Sequence, residues 1–450
     1  MKKKTLLIAG LVAAIGAVTC ACSDEEPSKP ASGIVADDKE DMITEGAFGD
    51  ESFKDEIPSD DLFGETETDE NGQPVTDSGK DNNKDNEQIN VDIIMVGDIL
   101  LHDRLFESGL MEDGTYNYDH MFKKTKDEIS AADIAIVNQE VILGGLELGL
   151  SGYPSFNAAY EVGDSLVNAG FDVVLHATNH ALDKRKKGLL NCLNFWDTKY
   201  PNIGVLGIHD TKEDAEEIYI KEVEGIKIAI LNYTYSTNGV PMPDDMPYAV
   251  DMWDEKAIKA DVEKAKTMAD FIVVCPHWGT EYVFEETKDQ QKKAQFLADL
   301  GVDLILGTHP HVVEPVKWLK GKEGNDTLVY YSIGNFINAT GEVKKGVAAR
   351  MLGAMAKVTL TTDGKDVWIA KYGVEPLVTH LVEGSGKITT YKLSKYTKEL
   401  EALNEMELQD DSFSIEYCQD ICKDVFGDLY NSDVVCDEKF WAELNKTGEE

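Results

Sequence analysis

Between residues 91 and 375, short apolar runs alternate with segments of helical spacing, and polar residues gather where each run ends. Runs at 91–96, 133–137, 171–175, 203–207, 226–233, 271–275, 304–306 and 327–331 read as strands. Those apolar on both faces read as buried and parallel. Helical spacing marks 161–169, stopped by Gly170, and 290–300, stopped by Gly301, with further helices at 187–196 and 255–269 and a helix end at 127–132. Residues 357–360 and 367–372 alternate as antiparallel edge strands do. Beyond about residue 385 the pattern is helical and acidic. Strand and helix in alternation predict an α/β domain, whose chemistry sits past the carboxyl ends of its strands.

The N-terminus is different. Met1-Lys2-Lys3-Lys4 precedes an apolar run from Leu6 to Val18, which is short for a membrane span. Thr19-Cys20-Ala21-Cys22 resembles a lipoprotein processing site, with Cys22 the better candidate for lipidation and Cys20 the alternative. The expectation is an extracytoplasmic protein lipid-anchored to a bacterial cell membrane. Residues 23–90 hold 22 acids against 5 lysines and few apolar side chains, the composition of a disordered, self-repelling tether. The domain boundaries expected are therefore 1–22 (signal peptide), 23–90 (linker), 91–380 (folded domain) and 381–450 (helical acidic extension).

The net charge is −41 over 450 residues, and the folded part stays acidic once the tether is set aside. Nucleic acid and anionic lipid surfaces are poor partners for it. Cys192 and Cys275 lie in apolar contexts, as core thiols do. Cys418, Cys422 and Cys436 allow one disulfide with one thiol left over, and no pairing follows from spacing.

Five strand ends carry side chains suited to metal or proton chemistry. They are Asp98 with His102 nearby, Glu140, Asn179-His180 followed by Asp183, His277, and the His309-Pro310-His311 turn. Any one of these has a structural reading; at Asp98 it is a turn-forming Asx hydrogen bond. Together, carboxylate, amide and imidazole donors suit a site for up to two borderline divalent ions such as Mn, Fe or Zn.

Six stretches carry a resemblance to a known family. They are Met95-Val96-Gly97-Asp98, Asn138-Gln139-Glu140, Thr178-Asn179-His180-Ala181-Leu182-Asp183, His277-Trp278-Gly279-Thr280-Glu281-Tyr282, Gly307-Thr308-His309-Pro310-His311 and Tyr331-Ser332-Ile333-Gly334-Asn335-Phe336. As a set, over residues 91–375, they resemble the CapA-like bacterial capsule-synthesis family, itself similar to the calcineurin-like metallophosphoesterases. The resemblance implies a four-layer αββα sandwich. It implies Asp98 and His311 on a first metal, Glu140 bridging, Asn179, His277 and His309 on a second, and His180 beside Asp183 as general acid or as a stabiliser of the leaving oxygen. Three positions depart from the phosphoesterase and capsule patterns. The histidine stands four residues after Asp98 rather than two, Glu140 stands for the bridging aspartate, and Thr178 stands for an asparagine.

The function this implies is a part in making, exporting or anchoring poly-γ-glutamate or a similar anionic capsule. Integral-membrane capsule-synthesis proteins and the polymer would be its partners. A surface phosphoesterase on another substrate and a non-catalytic polymer-binding scaffold are the alternatives. No Gly-rich phosphate loop is present, so this chain alone is not expected to be an ATP-dependent ligase.

Overall fold

The computed structural model describes residues 89–447. The expected signal peptide, with Cys20 and Cys22, and the acidic linker up to residue 88 lie outside the described residues. No described helix is long and apolar enough to cross a membrane.

The strands are β1 (Asn90–Leu100), β2 (Ile134–Asn138), β3 (Val173–Leu175), β4 (Gly204–Leu206), β5 (Tyr219–Val223), β6 (Ile226–Thr234), β7 (Phe271–His277), β8 (Leu304–Leu306), β9 (Val316–Lys320), β10 (Asp326–Tyr330), β11 (Asn335–Asn338), β12 (Leu352–Thr362), β13 (Val367–His380), β14 (Thr389–Lys392) and β15 (Val434–Val435). One sheet runs β14-β13-β12-β1-β2-β3-β4, with β11 also on β1 and β15 on β13. The other runs β5-β6-β7-β8-β10-β9. The central strands β1 to β4 of the first sheet, and β6, β7, β8 and β10 of the second, pair in parallel.

Side-chain alternation in the second sheet fixes the layers. Ile228 and Ile230 of β6, Val273 and Cys275 of β7, and Leu304 and Leu306 of β8 join the core shared with the first sheet. Their neighbours Ala229, Leu231, Ile272, Val274 and Ile305 face away, onto the helices Glu255–Ala265 and Lys288–Asp299 through Ile258, Val262, Ala294 and Leu297. The helices Tyr160–Ala169 and Arg185–Lys199 pack on the first sheet through Val162, Leu166, Leu189 and Trp196. Helix, sheet, sheet and helix therefore stack as the expected αββα sandwich. Strands buried on both faces need apolar residues at successive positions, which is why these runs lack strict alternation. Tyr330 of β10 reaches across the inter-sheet core and donates to the Gly373 carbonyl of β13 at 2.9 Å.

Three expectations need correction. β1 does not stop at Val96. It leaves β12, and from Asp98 onward pairs with β11, so Asp98 lies inside an irregular strand rather than past its end. Gly97 permits the crossing, because a Cβ there would lie 1.9 Å from the Gly334 carbonyl oxygen. Second, β12 and β13 are interior strands, because β14 and β15 cover the outer side of β13. Third, the C-terminal stretch is not purely helical, since it supplies those two short strands beside helices such as Ile415–Phe426. Cys192 and Cys275 are buried core thiols as expected, and Cys418, Cys422 and Cys436 are buried and free.

His209, past the end of β4, ties this edge to the segment after β6. Its Nδ1 lies 2.7 Å from Asp214 Oδ2 and its Nε2 2.9 Å from Asp251 Oδ2, so both ring nitrogens donate and the ring carries charge. Burial pulls its pKa down, but the two carboxylates prevail and raise it to about 9. The folded-state pKa thus exceeds the ordinary 6.5, and the stabilisation is complete below about pH 6.5 and lost as pH rises through about 9. In urea unfolding, the wild type is expected to exceed His209→Gln by on the order of 2 kcal/mol at pH 6, with the gap closing by about pH 10. A gap independent of pH would contradict the assignment.

Candidate metal centre

The strand ends of both sheets meet at one place. The first sheet brings Asp98 from β1, Glu140 from just past β2, and Asn179 with His180 from the turn after β3. The second brings His277 as the last residue of β7, and His309 and His311 from the turn after β8. Every one of these side chains is buried, none more than 6% exposed. His309 and His311 both adopt positive φ, 98° and 58°, a conformation costly for residues with a Cβ and typical of functional turns. The turn is held by the Asp98 carboxylate, which accepts the His309 backbone N–H at 3.2 Å.

Two sets of donors form around one carboxylate. Glu140, His277 and His309 offer ligand atoms within 4.8 Å of one another, and so do Asp98, Glu140 and His311. His277 Nε2 and His311 Nε2 lie 3.7 and 3.6 Å from Glu140 Oε1, and His311 Nδ1 lies 3.2 Å from Asp98 Oδ2. Asn179 Oδ1 lies 2.8 Å from His277 Nε2, which adds an amide oxygen to the first set. Ligands each about 2 Å from one ion stand roughly 3 to 3.5 Å apart, so these spacings suit a shared cation.

The residues fit a metal by a second test. Both carboxylate oxygens of Glu140 are buried without a hydrogen-bond partner, as is Nδ1 of His309. A buried carboxylate with no donor is costly, several kcal/mol in real proteins, unless a cation compensates it. Burial pushes the Glu140 pKa up, yet the charges of His311 and His277 overcome it and the net shift is downward. The same carboxylates, Glu140 first and then Asp98, raise His311 to about 10 against its own burial. His309 is pushed well below its ordinary value by burial and by its neighbours His277 and His311.

Neighbouring polar groups aim these donors. Asn138 donates to Asp98 Oδ1 at 2.8 Å, Thr308 Oγ1 holds His277 Nδ1 at 3.0 Å, and Asn335 Oδ1 lies 3.0 Å from His311 Nδ1. Such contacts fix ring orientation and ligand basicity. The sequence presented Asn138 and Asn335 as polar groups near strand ends, inside two of the family-like stretches but with no role of their own. Pairing of Asp98 with both, across β2 and β11, is what gives them roles.

His180 and Asp183 meet as a pair, Nδ1 to Oδ2 at 2.7 Å, and Asp183 also accepts the Phe156 backbone N–H. His180 belongs to neither donor set; it lines a cleft of about 520 Å³ together with His102, Phe156, Tyr282, His311 and Arg350. His102 is likewise outside both sets. Burial lowers its pKa to about 4, so it faces the cleft as a neutral ring. Tyr282 ends one of the family-like stretches, whereas Glu342 and Arg350 of this cleft went unnoticed in the sequence, because nothing local marks them.

Fold and site together define an α/β sandwich with a carboxylate–imidazole cluster where its two sheets converge. The chain belongs to the bacterial capsule synthesis protein PGA_cap family, whose model matches residues 92–340. It is 32% identical over 174 residues to the PGA biosynthesis protein CapA of Bacillus subtilis (strain 168), covering 38% of this chain and 44% of that protein. It is 26% identical over 321 residues to the capsule biosynthesis protein CapA of Bacillus anthracis, covering 69% of this chain and 72% of that one. The chain thus aligns with less than half the length of the B. subtilis relative. Among solved structures, a 5'-nucleotidase precursor from Thermus thermophilus is similar at a TM-score of 0.42 and 15% identity, over 64% of this chain and 54% of that one. The calcineurin-like phosphoesterase YfkN from B. subtilis gives 0.35 and 13%, over 74% and 99%.

Metal uptake is directly measurable. Added Mn or Zn is expected to raise the melting temperature by several degrees, since binding at 100-fold over Kd contributes about 2.7 kcal/mol. Glu140→Gln should fold without metal and lose that rise. A wild type whose melting is indifferent to both ions would exclude the centre.

Proposed function

We propose that this protein is a membrane-tethered, extracytoplasmic factor in the synthesis, export or anchoring of a poly-γ-glutamate-type capsule, working through a metal-dependent hydrolase-type site. Family membership supports the capsule role. The observation that carries the hydrolase reading is Glu140, buried without hydrogen bonds between two sets of metal-ligating side chains. The anchor is proposed at Cys22, with integral-membrane capsule-synthesis proteins as partners, in keeping with the N-terminal sequence.

In this reading Asp98 and His311 would hold one divalent ion, and Asn179, His277 and His309 another, with Glu140 available to each set. Ions there would supply Lewis acidity to a phosphoryl or carbonyl oxygen. The protein's own part is proton handling and placement. Asp183 fixes His180 by Nδ1, which leaves Nε2 as the ring nitrogen available to the cleft. His180 then serves as general acid to the leaving group, with its ring steadied edge-on against Phe156 at 4.6 Å. His176, in the same segment, has no such part. It is buried, accepts from Trp196 Nε1, and is kept neutral by burial with its pKa lowered to about 3.

Replacement of His180 tests the proposal. His180→Ala should keep metal uptake and melting behaviour, lower turnover of phosphoester or γ-glutamyl substrates by about 10²- to 10⁴-fold, and abolish capsule. Asp183→Asn should lower turnover less, because it loosens the ring without removing it. Full capsule with His180→Ala would refute chemistry at this site and leave a scaffold role.

A further inference from the structure

The chain holds only three arginines, Arg104, Arg185 and Arg350, among its 43 basic residues. Arg104 pairs with Glu383 and Glu405, and Arg185 is exposed. Arg350 is 9% exposed and lines the cleft beside the metal-ligating cluster. Its guanidinium lies 3.7 Å from the centroid of the Tyr282 ring, and Nη1 donates to Glu342 Oε2 at 2.8 Å. Its Nε is buried and has no partner.

We propose that Arg350 is the residue by which this cleft takes a carboxylate group of its substrate, with Glu342 occupying that place in the free protein. The inference rests on the adjacent cluster being the working site. A guanidinium binds a carboxylate best through two parallel N–H groups. Glu342 uses one, and its contact leaves the Nε donor unsatisfied. Glu342 sits on the segment between β11 and the 3-10 helix Val347–Met351, and its side chain is 42% exposed, so it is free to give way. Exchange of Glu342 for a substrate carboxylate satisfies the Nε edge as well.

The arginine is positioned relative to the cluster by two tethers. Asn335 bonds both His311, Oδ1 to Nδ1 at 3.0 Å, and the Arg350 carbonyl, from Nδ2 at 3.0 Å. Tyr282, at φ 66°, donates its backbone N–H to the Pro310 carbonyl at 2.8 Å, within the turn that carries His309 and His311. Arg350 and Tyr282 therefore move with that turn. Lys344 is the other lysine or arginine of the cleft, an exposed side chain whose Nζ lies 3.7 Å from Glu342 Oε1, and Glu281 lines the cleft too. That acidic neighbour disfavours a doubly charged phosphate more than a single carboxylate. In so acidic a protein, a carboxylate-bearing chain needs such a local foothold.

Two substitutions are expected to act in opposite directions. By calorimetry on the purified chain, a γ-linked glutamate oligomer should bind at least tenfold more weakly to Arg350→Gln and to Arg350→Lys, which lacks the fork. It should bind several-fold more tightly to Glu342→Gln, which removes the internal competitor. The same oligomer with its α-carboxylates amidated should respond to neither. A merely structural ion pair would make both substitutions weaken binding, and that result overturns the proposal. So does the same pattern with inorganic phosphate and not with the oligomer. If Arg350→Gln fails to fold, unchanged or weakened binding in Glu342→Gln overturns it alone. Metal uptake, measured in the same samples, decides the underlying site separately. Opposite shifts without metal uptake would leave the carboxylate foothold standing and remove the hydrolase reading.

Discussion

A buried carboxylate must find positive charge. Glu140 has no hydrogen-bond donor on either oxygen, and two imidazoles from the opposite sheet stand 3.7 and 3.6 Å from its Oε1. That constraint explains the arrangement around it better than packing does. His277 and His311 both approach its Oε1, Asp98 lies beside His311, and the His309–His311 turn accepts two left-handed residues to bring its rings in. Backbone strain of that kind persists where the surroundings over-determine it.

The sandwich supplies the means. Parallel strands in both sheets point their carboxyl ends to one edge, so side chains far apart along the chain meet within a few ångströms. The crossing of β1 from β12 to β11 at Gly97 adds Asp98 from inside a strand, and the Asp98 carboxylate then holds the His309 backbone. Rigidity in the turn carries on to the cleft, where Asn335 couples His311 to Arg350. Ligand shell and cleft wall are thus one framework.

Much of this was legible in the residues alone. Apolar runs ending in glycine and polar side chains located most strands within a few positions, and the recurrence of Asp, Glu, Asn and His at their ends named the cluster members. What the sequence hid was mostly non-local. Partner exchange by β1 depends on where β11 lies, and the interior placing of β12 and β13 depends on strands far along the chain. Asn138 and Asn335 carry no role of their own in the sequence until pairing sets them against Asp98. Arg350 carries no motif. Only the folded chain sets it over Tyr282 and beside His311.

The central claim is that Glu140 sits between two cation positions. Anomalous diffraction from crystals grown with Mn tests it most directly. Two peaks are predicted, one among Glu140, Asn179, His277 and His309, the other among Asp98, Glu140 and His311. Well-ordered side chains with no anomalous density at Glu140 would contradict the account.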